Sequence, residues 1–148
     1  MKYEATVKIS KHSKKLEALS RISKELQVLV IDDEQDITDI VKKGLANSGV
    51  KVTTFNDPYA ALSKFGPGRY DLAIIDIRMP GMNGYELFKR MKSIDGKLKI
   101  CFLTAFEIEP EDFAENGLDQ NSVDCFIKKP VSISDLLRKL TAMFQESC

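Results

Sequence analysis

The sequence predicts a doubly wound α/β domain of five parallel strands alternating with five helices, preceded by a basic amphipathic segment. Three observations predict it. Short apolar runs rich in β-branched residues recur at 27–31, 51–55, 72–76, 99–103 and 123–128. Between them, apolar residues fall at helical rather than strand spacing. Turn-forming or polar residues stand where the runs end, and strands alternating with helices imply right-handed crossovers and a parallel sheet covered on both faces.

The first segment is residues 1–26, read as an N-terminal extension that is partly helical. Leu16, Leu19, Ile22 and Leu26 recur at steps of three and four, with Lys14, Lys15, Arg21 and Lys24 between them. A helix this short is marginal alone, so packing on the main domain, pairing with a second copy and partial disorder all stay open. The main domain, 27–148, begins with Gln27-Val-Leu-Val-Ile31, a strand that runs into Asp32-Asp33-Glu34. A helix from Gln35 to Ser48 carries Ile37, Ile40, Val41 and Leu45, and Gly49 stops it. Lys51 to Phe55 is the second strand. Asp57-Pro58 supplies an N-cap and a first-turn proline for the next helix, closed by Gly66-Pro67-Gly68.

The third strand, Leu72 to Asp76, ends on a carboxylate that is followed by the turn Pro80-Gly-Met-Asn-Gly84. A helix from about Tyr85 to Ser93 turns Leu87, Phe88 and Met91 inward. Lys99 to Leu103 is the fourth strand and leads to Thr104-Ala105. Residues 107–121 are acidic, interrupted by Pro110 and Gly117, and give the weakest pattern in the chain. Val123 to Lys128 is the fifth strand, and Ser132 with Asp135 reads as a capping box for the last helix, whose buried face is Leu136, Leu137, Leu140, Met143 and Phe144.

Composition narrows the function. With 148 residues, 43% hydrophobic and 30% charged, the chain can bury one substantial core. It has no apolar run near the ~18 residues that cross a bilayer, and its basic start lacks the apolar centre of a signal peptide; no membrane insertion and a cytoplasmic location are expected. The formal net charge of zero hides an asymmetry: residues 1–26 carry seven Lys/Arg against three Asp/Glu, and the remainder fifteen against nineteen. The main domain therefore lacks the positive face of a nucleic-acid binder. Cys101, Cys125 and Cys148 have no metal-ligand spacing, and the single histidine, His12, is remote from them. Cys101 and Cys125 are expected as buried reduced thiols and Cys148 as an exposed tail thiol.

In parallel α/β sheets, ligands bind outside the carboxyl ends of the strands. Those ends carry Asp32 and Asp33, Asp76, Thr104 and Lys129. An Asp at a strand end serves as a turn residue, a metal ligand or a nucleophile, so Asp76 alone decides nothing. Three acids held together need a counter-charge, from the lysine or from a cation, and oxygen-only ligands suit Mg²⁺ or Mn²⁺. Such a carboxylate, ionised at its ordinary pKa, has the equipment to form an aspartyl phosphate.

Taken together, Val-Leu-Val-Ile-Asp32-Asp33-Glu34, Asp76-Ile-Arg-Met-Pro80-Gly-Met-Asn-Gly84, Leu103-Thr104-Ala105 and Phe126-Ile-Lys-Lys129-Pro130 resemble the receiver domain of two-component response regulators over about Gln27 to Glu146. The resemblance implies a flavodoxin-like sheet with strand order 2-1-3-4-5. It implies that Asp76 accepts a phosphoryl group from a sensor histidine kinase, with Thr104 and Lys129 as its companions. Asp32, Asp33, Asp76 and the backbone carbonyl of Arg78 would hold Mg²⁺, or Mn²⁺ in its place. Phe126 takes the place of a switch aromatic, though an ordinary core phenylalanine fits equally; Lys128, one residue before the family's lysine, is expected in solvent. The expected protein is a regulator rather than an enzyme, acting on a downstream protein, with a homodimer open and direct nucleic-acid binding disfavoured. Output is expected through protein contacts, with a receiver that stands alone and a receiver belonging to a longer chain both left open. Two other functions compete. A phosphatase that forms an aspartyl phosphate would want an acid where Arg78 stands, and a phosphate-independent dimerising scaffold would need no such site. Large side chains at Arg78 and Phe106 are expected to shield a phosphoryl group from water.

Overall fold

A computed structural model describes residues 26–145. The N-terminal segment as far as Glu25 and the tail thiol Cys148 lie outside the described residues. Within them the strands are β1 (Gln27–Ile31), β2 (Lys51–Phe55), β3 (Leu72–Asp76), β4 (Lys99–Thr104) and β5 (Cys125–Lys128). The helices are α1 (Gln35–Ala46), α2 (Pro58–Lys64), α3 (Gly84–Ile94), α4 (Pro110–Glu115) and α5 (Ile133–Gln145). All strand pairs are parallel and the order is β2-β1-β3-β4-β5, as the resemblance implies.

The central strands are apolar on every residue because both faces are covered. Side chains alternate across a strand, so Leu29, Ile31, Ala73, Ile75, Ile100 and Phe102 face one layer, against α2 and α3. Val28, Val30, Leu72, Ile74, Cys101 and Leu103 face the other, against α1 and α5. Each fully buried aliphatic side chain contributes about 1.5–3 kcal/mol of transfer free energy, which holds the β1–β3–β4 platform rigid beneath the loops at its carboxyl edge. Phe102 is the hub of an aromatic cluster, with ring centroids 5.4 Å from Tyr85, 5.7 Å from Phe88 and 6.2 Å from Phe126.

Two sequence expectations are corrected, and one weakly patterned stretch takes a definite form. Leu26, grouped by spacing with the N-terminal helix, belongs to the core. It is buried beside the α1 and α5 layer, and its carbonyl accepts a hydrogen bond from Lys51 N at 3.0 Å. Cys101 and Cys125 are disulfide-bonded rather than reduced. They are register partners on adjacent strands with Cα atoms 4.5 Å apart, close enough for a bridge, and a sequence separation of 24 conceals that neighbourhood. The weak acidic stretch resolves into a six-residue α4, with the Asp112 carboxylate accepting from Glu109 N, and a single 3₁₀ turn at Gln120–Ser122.

Asp57 and Ser132 cap helices as the sequence offers, and Asn83 adds a cap that it did not single out. The Asp57 and Asn83 side chains accept from Tyr59 N and Glu86 N, and Ser132 Oγ accepts from Asp135 N. The turn between β3 and α3 is built on glycine. Gly81 has φ +87°, and Gly84 N donates to Ile77 O at 2.8 Å. A Cβ on Gly84 would lie 2.5 Å from the Asp76 carbonyl oxygen and 2.8 Å from Ile77 Cα, both backbone atoms that cannot rotate away. Gly84→Ala is therefore expected to destabilise the protein by roughly 1–3 kcal/mol, as overpacking does. The fall is measured as a lower urea midpoint at unchanged m-value, while Gly96→Ala, with only one atom within contact range at 4.0 Å, leaves the midpoint nearly unchanged.

Candidate functional site

Register brings the sequence-predicted residues together. Ile31 pairs with Ile75, Asp76 with Leu103 and Thr104 with Lys128, so the carboxyl ends of β1, β3, β4 and β5 finish at one edge. Asp32 follows β1, Asp76 closes β3, Thr104 closes β4 and Lys129 follows β5. Asp32, Asp76 and Thr104 are buried at 0%, 5% and 6% exposure, whereas Asp33 is exposed. Polar side chains this deeply placed in an otherwise apolar sheet need compensation.

Lys129 supplies much of it. Its Nζ lies 2.9 Å from Asp32 Oδ2, 3.0 Å from Glu34 Oε1 and 3.6 Å from Asp76 Oδ1. Burial disfavours its charge, but hydrogen bonds to Asp32 and Glu34 and the field of Asp32 and Asp76 outweigh that and raise its pKa. Asp32 Oδ1 accepts from Glu34 N at 2.9 Å. Asp32 Oδ2 is different: buried and close to the ammonium, it is an ion-pair partner without a well-directed hydrogen bond. Its open lone pairs, with carboxylate oxygens of Asp32, Asp33 and Asp76 all within 4.8 Å of one another, form a hard oxygen donor set suited to a small divalent cation.

Asp76 does not behave as an isolated carboxylate. Burial is the main cause that pushes its pKa up, to about 7, with the Asp32 charge and then Asp33 adding to the rise and Lys129 opposing it. Burial likewise raises Asp32. The expectation that Asp76 has the ordinary pKa of a carboxylate is thus corrected: burial and the neighbouring acids hold it well above that range. A raised acid pKa means that the native state binds more protons than the unfolded chain between the two values, so stability falls as pH rises through that window. The metal-free protein is expected to lose thermal stability between about pH 4 and pH 7. Scanning calorimetry checks this, and addition of a divalent cation at the upper pH should recover the loss.

The hydroxyl of Thr104 is engaged with the following loop. Its Oγ1 accepts from Phe106 N at 3.0 Å and lies 3.2 Å from Phe106 O, to which it donates. Arg78 stands at the rim with its guanidinium carbon 4.0 Å from the centre of the Phe106 ring, which is 48% exposed. Lys128 points away into solvent and pairs with Glu107, as its register implies. Phe126 is half-buried, packed at 5.8 Å against Phe113. Sequence reasoning assigned no part to Glu34, although it stood beside Asp32 and Asp33. It also passed over Asn56, whose only signal was a polar residue at the exit of β2.

The family model described as the response regulator receiver domain matches residues 28–141. Among curated proteins, the uncharacterized transcriptional regulatory protein YkoG of Bacillus subtilis is 28% identical over 120 residues, covering 81% of this chain and 51% of that protein. Response regulator MprA of Mycobacterium avium is 28% identical over 122 residues, covering 82% of this chain and 52% of MprA. The chain spans about half the length of these curated relatives. Among solved structures, the Vibrio cholerae chemotaxis protein CheY4 is 31% identical with a TM-score of 0.67, over 80% of this chain and 98% of that one. A two-component response regulator from Clostridium difficile, 22% identical with a TM-score of 0.72 over 82% of this chain and 98% of its own, shares the fold.

Proposed function

The chain belongs to the response regulator receiver domain family, whose members are phosphoacceptor regulators in two-component signalling, and from that premise we propose that Asp76 is the phosphoacceptor of a signalling switch supplied by a sensor histidine kinase. The observation that carries the reading is the placement of Asp76: buried at the exit of β3, with Lys129 Nζ 3.6 Å away and two further acids within reach of one cation.

The chemistry follows from those positions. An Asp76 carboxylate oxygen attacks phosphorus, a new P–O bond forms, and the donor's P–N bond breaks with its electron pair leaving on the imidazole. Lys129 remains close to a phosphoryl oxygen and balances its charge. Mg²⁺, or Mn²⁺, bound by Asp32, Asp33, Asp76 and the Arg78 carbonyl, would supply the positive charge that keeps Asp76 ionised and neutralises the transferring group. Thr104 would exchange its hydrogen bonds with Phe106 for one to the phosphoryl group, and Phe126, already in contact with the Phe102–Phe113 cluster, would repack in response. That change, at the β4–α4 loop and β5, would alter the face offered to a downstream protein. A second copy of the chain is a further candidate partner, direct nucleic-acid binding is not part of the reading, and residues 1–26 are taken as an extension of a receiver spanning 27–148. Among the described residues no helix is long and apolar enough to cross a membrane; a cytoplasmic site of action fits that. The test is an intact-mass measurement after incubation with a small-molecule phosphodonor and Mg²⁺. A gain of one phosphoryl group supports the switch, and its absence favours a scaffold that keeps the fold alone.

The Arg78–Phe106 stack bears on how long the modification lasts. Water attacking the phosphoryl group must pass this rim, and opening it forfeits an exposed cation–π contact of about 0.5–1 kcal/mol. A long-lived phosphoryl state is expected, with Arg78→Ala or Phe106→Ala shortening it roughly two- to fivefold, the rate equivalent of that contact. Following loss of the phosphoryl mass from purified protein in Mg²⁺ checks it; rapid loss from the wild type would sink the idea.

A further inference from the structure

Asn56 is exposed, yet its side chain joins two segments distant in sequence. Its Nδ2 donates to the Asp32 carbonyl oxygen at 2.8 Å and to Thr38 Oγ1 at 3.1 Å. Thr38 is buried at 1% exposure and itself donates to Gln35 O at 3.0 Å, so its hydroxyl proton is committed and a lone pair is left for Asn56. The amide orientation is thereby specified: a flipped side chain would set Oδ1 against a carbonyl oxygen and waste both donors. Asp32 N is held by Phe55 O at 3.2 Å, the last main-chain bond between β1 and the exit of β2. Asn56 adds one more bond where the chain leaves the sheet, so both backbone polar groups of Asp32 are tied to β2 and its neighbour.

The Asp32 carbonyl lies in the peptide plane that joins Asp32 to Asp33. Fixing that plane, with Asp32 N also held, fixes the direction in which the Asp32 side chain leaves the backbone and the place of the Asp33 Cα. On this ground, and resting on the reading of the site given under Proposed function, we infer that Asn56 is a positioning residue for divalent-cation binding: through its side-chain amide it orients the Asp32–Asp33 peptide and braces it against Thr38 in the first turn of α1. The Asn56 amide bonds the Asp32 carbonyl and the Thr38 hydroxyl and so acts through the backbone. Because Asn56 is exposed, truncating it opens no cavity, and the fold should survive.

The test uses the full chain and reads Mn²⁺ affinity by electron paramagnetic resonance, independently of phosphorylation. Asn56→Ala is expected to weaken Mn²⁺ binding about three- to tenfold, the range for losing hydrogen bonds that orient a metal ligand. Thr38→Val removes the acceptor while nearly preserving shape, and should weaken binding less. The double variant should be no worse than Asn56→Ala, because the second bond is already lost. Phosphoryl uptake by Asn56→Ala should need several-fold more Mg²⁺ for half-maximal rate yet reach the wild-type plateau, a split that general destabilisation would not give. Wild-type binding of Mn²⁺ together with equally tight binding by Asn56→Ala overturns this inference alone; a wild type that binds no Mn²⁺ overturns the reading of the site and the inference with it.

Discussion

Asp76→Asn abolishes phosphoryl uptake, with the rate from a small-molecule donor falling at least ~10³-fold, as when an enzyme loses its nucleophile. The amide has nearly the shape of the carboxylate but no anionic oxygen to attack phosphorus. The wild type should gain the mass of one phosphoryl group, labile to hydroxylamine as an acyl phosphate is, and the variant none. Unfolding cannot mimic this outcome, because the same substitution should stabilise the metal-free protein above neutral pH. Burial and the Asp32 charge hold the Asp76 pKa near 7, so ionising it there costs on the order of a few kcal/mol. The amide escapes that cost. The difference should shrink as pH falls and vanish below about pH 4, where Asp76 is neutral in both folded and unfolded chains. A variant that takes up phosphate as the wild type does would place the acceptor on another residue and end the proposed role of Asp76.

The sheet was legible because burial on two faces demands continuous apolar runs, and β1, β2 and β3 begin and end where those runs do. The gathering of the candidate residues was legible for the same reason: acids, a hydroxyl and a lysine that interrupt such runs at their carboxyl ends are brought to one edge by parallel topology. What the sequence hid depends on three-dimensional neighbours. Cys101 and Cys125 become partners only through strand register. Leu26 fits a helical spacing equally well until its carbonyl is seen bonded to Lys51 N. In α4 a short helix rests on caps and one buried side chain, Phe113, so no periodicity had room to develop. The ionisation of Asp76 was misjudged because a reference pKa carries no desolvation, and the Thr104 hydroxyl was placed by type while its partner, the Phe106 backbone, was invisible. Glu34 and Asn56 act through a lysine and a peptide plane, contacts that residue type alone does not announce.

Lys129→Ala is the second large effect, and its direction differs among three observables. Lys129 is 12% exposed and stands among Asp32, Asp76 and Glu34. Removing one partner from a buried ion pair costs about 3–5 kcal/mol when the charge left behind cannot escape. Here it can, since Asp32 and Asp76 already have raised pKa values and will take up protons. The loss of stability should therefore be smaller than that range, greatest near pH 8 and slight near about pH 5. Lys129 stays charged in both folded and unfolded states across this window, so the pH dependence comes from the acids it faces. Phosphoryl uptake should fall roughly 10²-fold or more, the usual consequence of losing a group aimed at developing negative charge. Cation affinity should move the other way at about pH 8: no ammonium then stands 2.9 Å from Asp32 Oδ2, and Mn²⁺ competes only with the protons that the acids have taken up. Lys128→Ala is the natural control, being the adjacent lysine on the opposite side of the strand and paired with the exposed Glu107; it should change none of the three. Slower uptake combined with tighter metal binding separates a missing counter-charge from simple disruption of the fold, which would weaken both.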